Sequence, residues 1–101
     1  MARIKESKAV KMTASGQAVD EACFLLGVLL GTDTVNDVSF SIHDGTDNTG
    51  DELIPTTTYD AAQYGLSGVM FPYRVRALNG LYFYEASGSN YECIIFYEEV
   101  S

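Results

Sequence analysis

Residues 81–99 run LYFYEASGSNYECIIFYEE. Leu81 and Phe83 alternate with Tyr82 and Tyr84, the period of a half-buried β-strand. Gly88, Ser89 and Asn90 form a turn cluster, and the stretch from Tyr91 to Glu99 returns to strand character. Two such runs joined by three residues predict a C-terminal hairpin. In the second run, Tyr91, Cys93, Ile95 and Tyr97 share one face, and Glu92, Ile94, Phe96 and Glu98 share the other. Both faces carry apolar side chains, more than one core in a chain this short requires. Tyrosine is enriched at protein interfaces and charge is depleted at their centres. Tyr82, Tyr84 and Tyr97 are therefore expected at an interface with a sister subunit. The plainer alternative is a two-sheet sandwich whose tyrosines sit at the rim with wet hydroxyls.

The rest of the chain repeats the period. In VSFSI at 38–42, Val38, Phe40 and Ile42 face one way and Ser39 and Ser41 the other. That strand ends at His43, Asp44 and Gly45, and Asp-Gly is a strong turn signal. The segment 46–52 reads as loop, and a short strand ELIP stops at Pro55. Residues 23–30, CFLLGVLL, have strand length and an internal glycine, which favours a strand buried on both faces over a helix. Ala9 to Thr13 forms a further strand. YGLSGVMF at 64–71 and YRVRAL at 73–78 form two more, separated by Pro72. Short strands with turn signals every 8–12 residues predict an all-β, single-domain antiparallel β-sandwich or jelly-roll-like barrel of about eight strands. Residues 1–11 are expected as a basic arm or edge strand, and 12–101 as the sandwich.

Composition agrees. The chain has 101 residues, 47% hydrophobic and 20% charged, with 7 Tyr, 5 Phe and no Trp. It is one domain's worth of sequence and is not disordered by composition. The net charge is -8, unevenly placed. Arg3, Lys5, Lys8 and Lys11 stand against Glu6 in the first eleven residues, while beyond them Arg74 and Arg76 face 13 carboxylates. An acidic body repels phosphate, so no nucleic-acid partner is expected. The longest apolar run, 22–30, is about half the length that crosses a bilayer, so no membrane partner is expected either. Cys23 and Cys93 lie in apolar runs and read as buried thiols.

Chemistry-bearing motifs are few. His43 is the sole histidine, and its neighbour Asp44 points to the opposite face of a strand, so adjacency makes no dyad. The chain has no G-x-S-x-G elbow and no phosphate-binding glycine loop. The acidic stretch 44–52 offers Asp44, Asp47, Asn48, Asp51 and Glu52, an oxygen set that suits calcium. It matches no EF-hand register, and these residue types are what turns are made of. No catalytic residue, metal or cofactor is expected. Tyrosine-rich sandwiches also suit sugar binding, since sugars stack on aromatic faces, although the chain lacks tryptophan.

The order of features carries a resemblance. TASG at 13–16 precedes an apolar strand ending in glycine. HDGTDNTG at 43–50 closes an alternating strand. YGLSGVMF at 64–71 and NGLYFYEASGSNYECIIFYEE at 79–99 follow. Over 13–99 this resembles a group of small structural proteins of tailed bacteriophages, with an inserted YRVRAL at 73–78 and Cys93 in the last strand as departures. The resemblance implies a non-enzymatic virion protein made in the host cytoplasm and carried on the capsid surface. The leading expectation is a decoration or cement protein bound to the major capsid protein. Trimers or pentamers at symmetry axes are expected, with Arg3, Lys5, Lys8 and Lys11 toward the shell. The alternative is a module on a tail or head fibre that binds host-surface carbohydrate.

Overall fold

A computed structural model describes residues 7–63 and 65–100. It contains eight strands: β1 (Lys8–Met12), β2 (Gly16–Val19), β3 (Cys23–Gly31), β4 (Val38–Asp44), β5 (Asp51–Tyr59), β6 (Leu66–Ala77), β7 (Leu81–Ser87) and β8 (Glu92–Glu99). They form two four-stranded antiparallel sheets. Sheet A has the order β1-β8-β3-β6 and sheet B the order β2-β7-β4-β5. Arg3, Lys5 and Tyr64 lie outside the described residues.

The core lies between the sheets and is built by alternation. β4 turns Val38, Phe40 and Ile42 inward, all fully buried. β7 adds Leu81 and Phe83, and the rings of Phe40 and Phe83 stack at 5.3 Å. From sheet A, Leu25, Val28 and Leu30 of β3 meet Cys93 and Ile95 of β8. Tyr59 stacks on Phe40 with centroids 5.3 Å apart, and Tyr91 tilts against Phe83 at 6.0 Å.

Four expectations need correction. The 81–99 segment is not a hairpin: β7 belongs to sheet B and β8 to sheet A, so Gly88, Ser89 and Asn90 carry the chain across the core. Gly88 at φ 133° and Asn90 at φ 54° make that crossing, and both angles are ones that glycine and asparagine tolerate best. β3 is fully buried only on its inner face; on the outer face Gly27 is buried, while Phe24, Leu26 and Leu29 are half-buried. β5 runs through Pro55 rather than stopping there, because β5 is an edge strand and Pro55 need donate no ladder hydrogen bond. The segments on either side of Pro72 are one strand, β6, which spends the residues from Phe71 to Arg74 opposite Leu26 in a large bulge.

Cys23 pairs in register with Glu99, while Cys93 pairs with Leu30. The two thiols are free, buried and at opposite ends of β3.

Candidate interaction surfaces

A sandwich has two outer faces, and in this one they differ in chemistry. The outer face of sheet A is apolar at its centre. The cross-strand register sets Ala9, Phe96, Gly27 and Met70 in one row, and Lys11, Ile94, Leu29 and Gly68 in the next. Leu66 lies beyond them at the same end as Glu92. Met70 and Leu66 are 60% and 68% exposed, large values for apolar side chains on a strand. Gly27 lets β6 press close on this face, because a side chain there would strike the carbonyl of Val69 and the sulfur of Met70. A hollow of about 450 Å³ is lined by Leu29, Leu66, Met70 and Phe96 among others.

Charge frames that centre. At one end the Arg74 guanidinium lies 4.2 Å above the Phe24 ring and bonds Glu98 at 2.6 Å. Arg76 stands beside it, exposed, and makes no ion pair among the described residues. At the other end Glu92 sits 3.6 Å from Lys11. An apolar middle with a charged rim is the anatomy of a protein interface.

The outer face of sheet B is polar. Ser39, Ser41 and His43 of β4 are all buried there, Ser41 completely. Ser39 Oγ and Thr58 Oγ1 form a hydrogen bond of 2.6 Å. His43 Nδ1 lies 2.9 Å from the Gly50 carbonyl, which can only accept, so Nδ1 is the donor. In the neutral ring, Nε2 then accepts the Ser41 hydroxyl at 2.8 Å. Tyr84 packs edge-on against the imidazole with centroids 6.4 Å apart. A serine donating to a histidine has the form of a nucleophile and its base. Here the serine is fully buried and His43 is held by both Ser41 and Gly50, so the pair reads as a structural brace that ties β4 to the end of the 44–50 turn.

The residues singled out by sequence are dispersed. Tyr82 and Tyr84 sit half-buried on the outer face of sheet B. Tyr97 belongs to sheet A and faces inward, partly buried against the core. These three tyrosines share no surface, because the crossing from β7 to β8 sends the two strands to different sheets. Lys8 and Lys11 lie on β1, an edge strand of sheet A, rather than on a free arm. Removing residues 2–11 would therefore remove most of a strand. Lys8 bonds Glu99 at 2.6 Å, and that carboxylate raises its pKa.

The acidic turn is spoken for locally. Asp44 accepts the backbone N–H groups of Leu78 and Asn79, at 3.0 and 2.8 Å, and so fastens the β6–β7 turn. Asp47 accepts the backbone and hydroxyl of Thr49, which lowers its pKa. Among the described residues no three metal-ligating side chains converge.

Sequence reasoning missed the Ser41–His43 contact. Its signal was present, since residues two apart on a strand share a face. It also missed the apolar face of sheet A as a unit, because that face is assembled from β1, β8, β3 and β6, which lie far apart in the chain. Comparison with protein-family models, with curated proteins and with solved structures gives no match.

Proposed function

We propose that the chain is a non-enzymatic assembly protein that packs against sister copies through the outer face of sheet A. The observation that carries this is the contiguous apolar patch of Leu29, Leu66, Met70, Ile94 and Phe96, bounded by Arg74 and Arg76 at one end and Glu92 at the other. Left in water, such a patch loses the roughly 25 cal/mol that each Å² of apolar surface contributes on burial. A second copy placed with its strands reversed brings the arginine end of one face to the glutamate end of the other. Arg76 can then draw the second copy's Glu92 from its 3.6 Å contact with Lys11, which sets the register while the apolar centre supplies the attraction.

The resemblance to small structural proteins of tailed phages gives this assembly a place, as a decoration or cement protein on the capsid. The fold suits that work: a β-body with an acidic surface and one adhesive face. Arg3 and Lys5 are the cations proposed to reach the major capsid protein. Lys8 and Lys11 join them only by exchanging Glu99 and Glu92 for shell carboxylates, a small cost for exposed pairs. Immunogold labelling of particles from the phage that encodes the chain tests the placement. Label spread over the heads is the expected result. Label confined to tails or fibres, or unlabelled particles, would overturn the capsid assignment without touching the self-association.

A further inference from the structure

The polar hollow on the outer face of sheet B is independent of the assembly face, and its chemistry selects a ligand. It has a volume of about 380 Å³ and is lined by Ser41, His43, Asn48, Glu52, Thr56 and Tyr84. That volume is within the range of small-molecule sites. We propose that it binds one neutral sugar ring of a glycan.

Three observations carry the proposal. The first is that the hollow is built into the sheet. The β4–β5 register slips twice, between Phe40 and Ile42 and again between Ile42 and His43. Such bulges disrupt the ladder locally and recur beside binding sites. The second is a rigid floor. Ser41 and His43 are buried and satisfied by each other and by Gly50, so they hold the base of the hollow without competing for a ligand. The Tyr84 ring, half-buried, stands edge-on to His43, at 78° between planes. A ring held in place in advance costs a ligand little ordering entropy.

The third is the balance of hydrogen-bonding groups on the walls. Glu52 offers a carboxylate that only accepts, held loosely by Thr56 at 3.3 Å. Asn48 offers an amide that both donates and accepts, the Tyr84 hydroxyl does the same, and the Thr56 hydroxyl, which donates to Glu52, is left to accept. Neighbouring ring hydroxyls need this mixture, since each donates one bond and accepts others. An alkylammonium would want acceptors alone. A phosphate would want donors and cations, and no lysine or arginine lines the hollow of this chain of net charge -8. The Tyr84 ring adds an apolar flank for the C–H face of a sugar.

The test is a titration of the ¹⁵N-labelled full chain with glucose, galactose, mannose and N-acetylglucosamine, with inorganic phosphate and ethylammonium as controls, read by amide shifts. At least one sugar should give saturable shifts confined to Ser41–His43, Asn48–Glu52 and Tyr84, with a midpoint in the millimolar range. Glu52→Gln should weaken that midpoint about tenfold, the effect of losing one charge-assisted hydrogen bond, with amide shifts elsewhere unchanged. The proposal is overturned if no sugar saturates these residues, if the shifts lie elsewhere, if Glu52→Gln binds as tightly, or if phosphate or ethylammonium binds better than every sugar.

Discussion

His43 shows how a residue's surroundings, rather than its identity, fix its role. Its neighbour in sequence, Asp44, turns away to hold the β6–β7 turn, while Ser41, two positions back, becomes its partner. The buried thiols make the same point with a consequence for pH. Burial pushes Cys93 from its ordinary 9.0 up to about 12. Burial first, then the charges of Asp44 and Glu21, pushes Cys23 up to about 11. Unfolding releases both to ionise near 9, so above that pH the folded state binds more protons than the unfolded one. Stability from these thiols is therefore complete below pH 9 and drains away as pH rises through 11–12. Tyr91, raised by burial and by its bond to Glu85, and Tyr59, raised by burial, steepen the loss above 10. Thermal melts taken upward from pH 9 should show a falling Tm, with a shallower fall in Cys93→Ala. Parallel slopes in the two proteins would show that Cys93 is not linked to unfolding. On the acid side, backbone N–H groups of Asn36 and Val35 hold Asp33 down to about 2, so its contribution is lost only as pH falls from 3.8 through that value.

At the scale of elements, Gly27 is the position on which the β3–β6 pairing turns. β6 bulges there, and its Val69 carbonyl and Met70 side chain fill the space a Cβ would need. Gly27→Val should cost roughly 1–3 kcal/mol, the range for overpacking a tight contact. Hydrogen exchange should locate the loss in Leu66–Met70 rather than in sheet B; uniform loss across both sheets would show that the two ladders open together. The strands themselves were largely legible, because alternation such as Val38, Phe40 and Ile42 against Ser39 and Ser41 survives whatever the partner. Pairing was not. The turn cluster of Gly88, Ser89 and Asn90 serves a hairpin or a crossing between sheets equally well, since both need residues that tolerate positive φ. The apolar residues on both faces of β8 were the better guide. One set, Cys93, Ile95 and Tyr97, fills the core, and the other, Ile94 and Phe96, faces out.

For the whole molecule, the two sheets divide the labour. Sheet A turns an apolar face outward, proposed for assembly, and sheet B a polar one, proposed for a sugar. Neither face is contiguous in sequence, and Tyr82, Tyr84 and Tyr97, read together as one interface, lie on two different sheets. Light scattering of the purified chain across a range of concentrations tests the assembly face most directly. The native chain should form a defined oligomer. Met70→Glu should be a monomer, and as a substitution at an exposed site it should leave folding stability within about 0.5 kcal/mol of the native value. A native chain that remains monomeric at every concentration, or a Met70→Glu variant that associates as well as the native chain, would contradict the assembly role of sheet A.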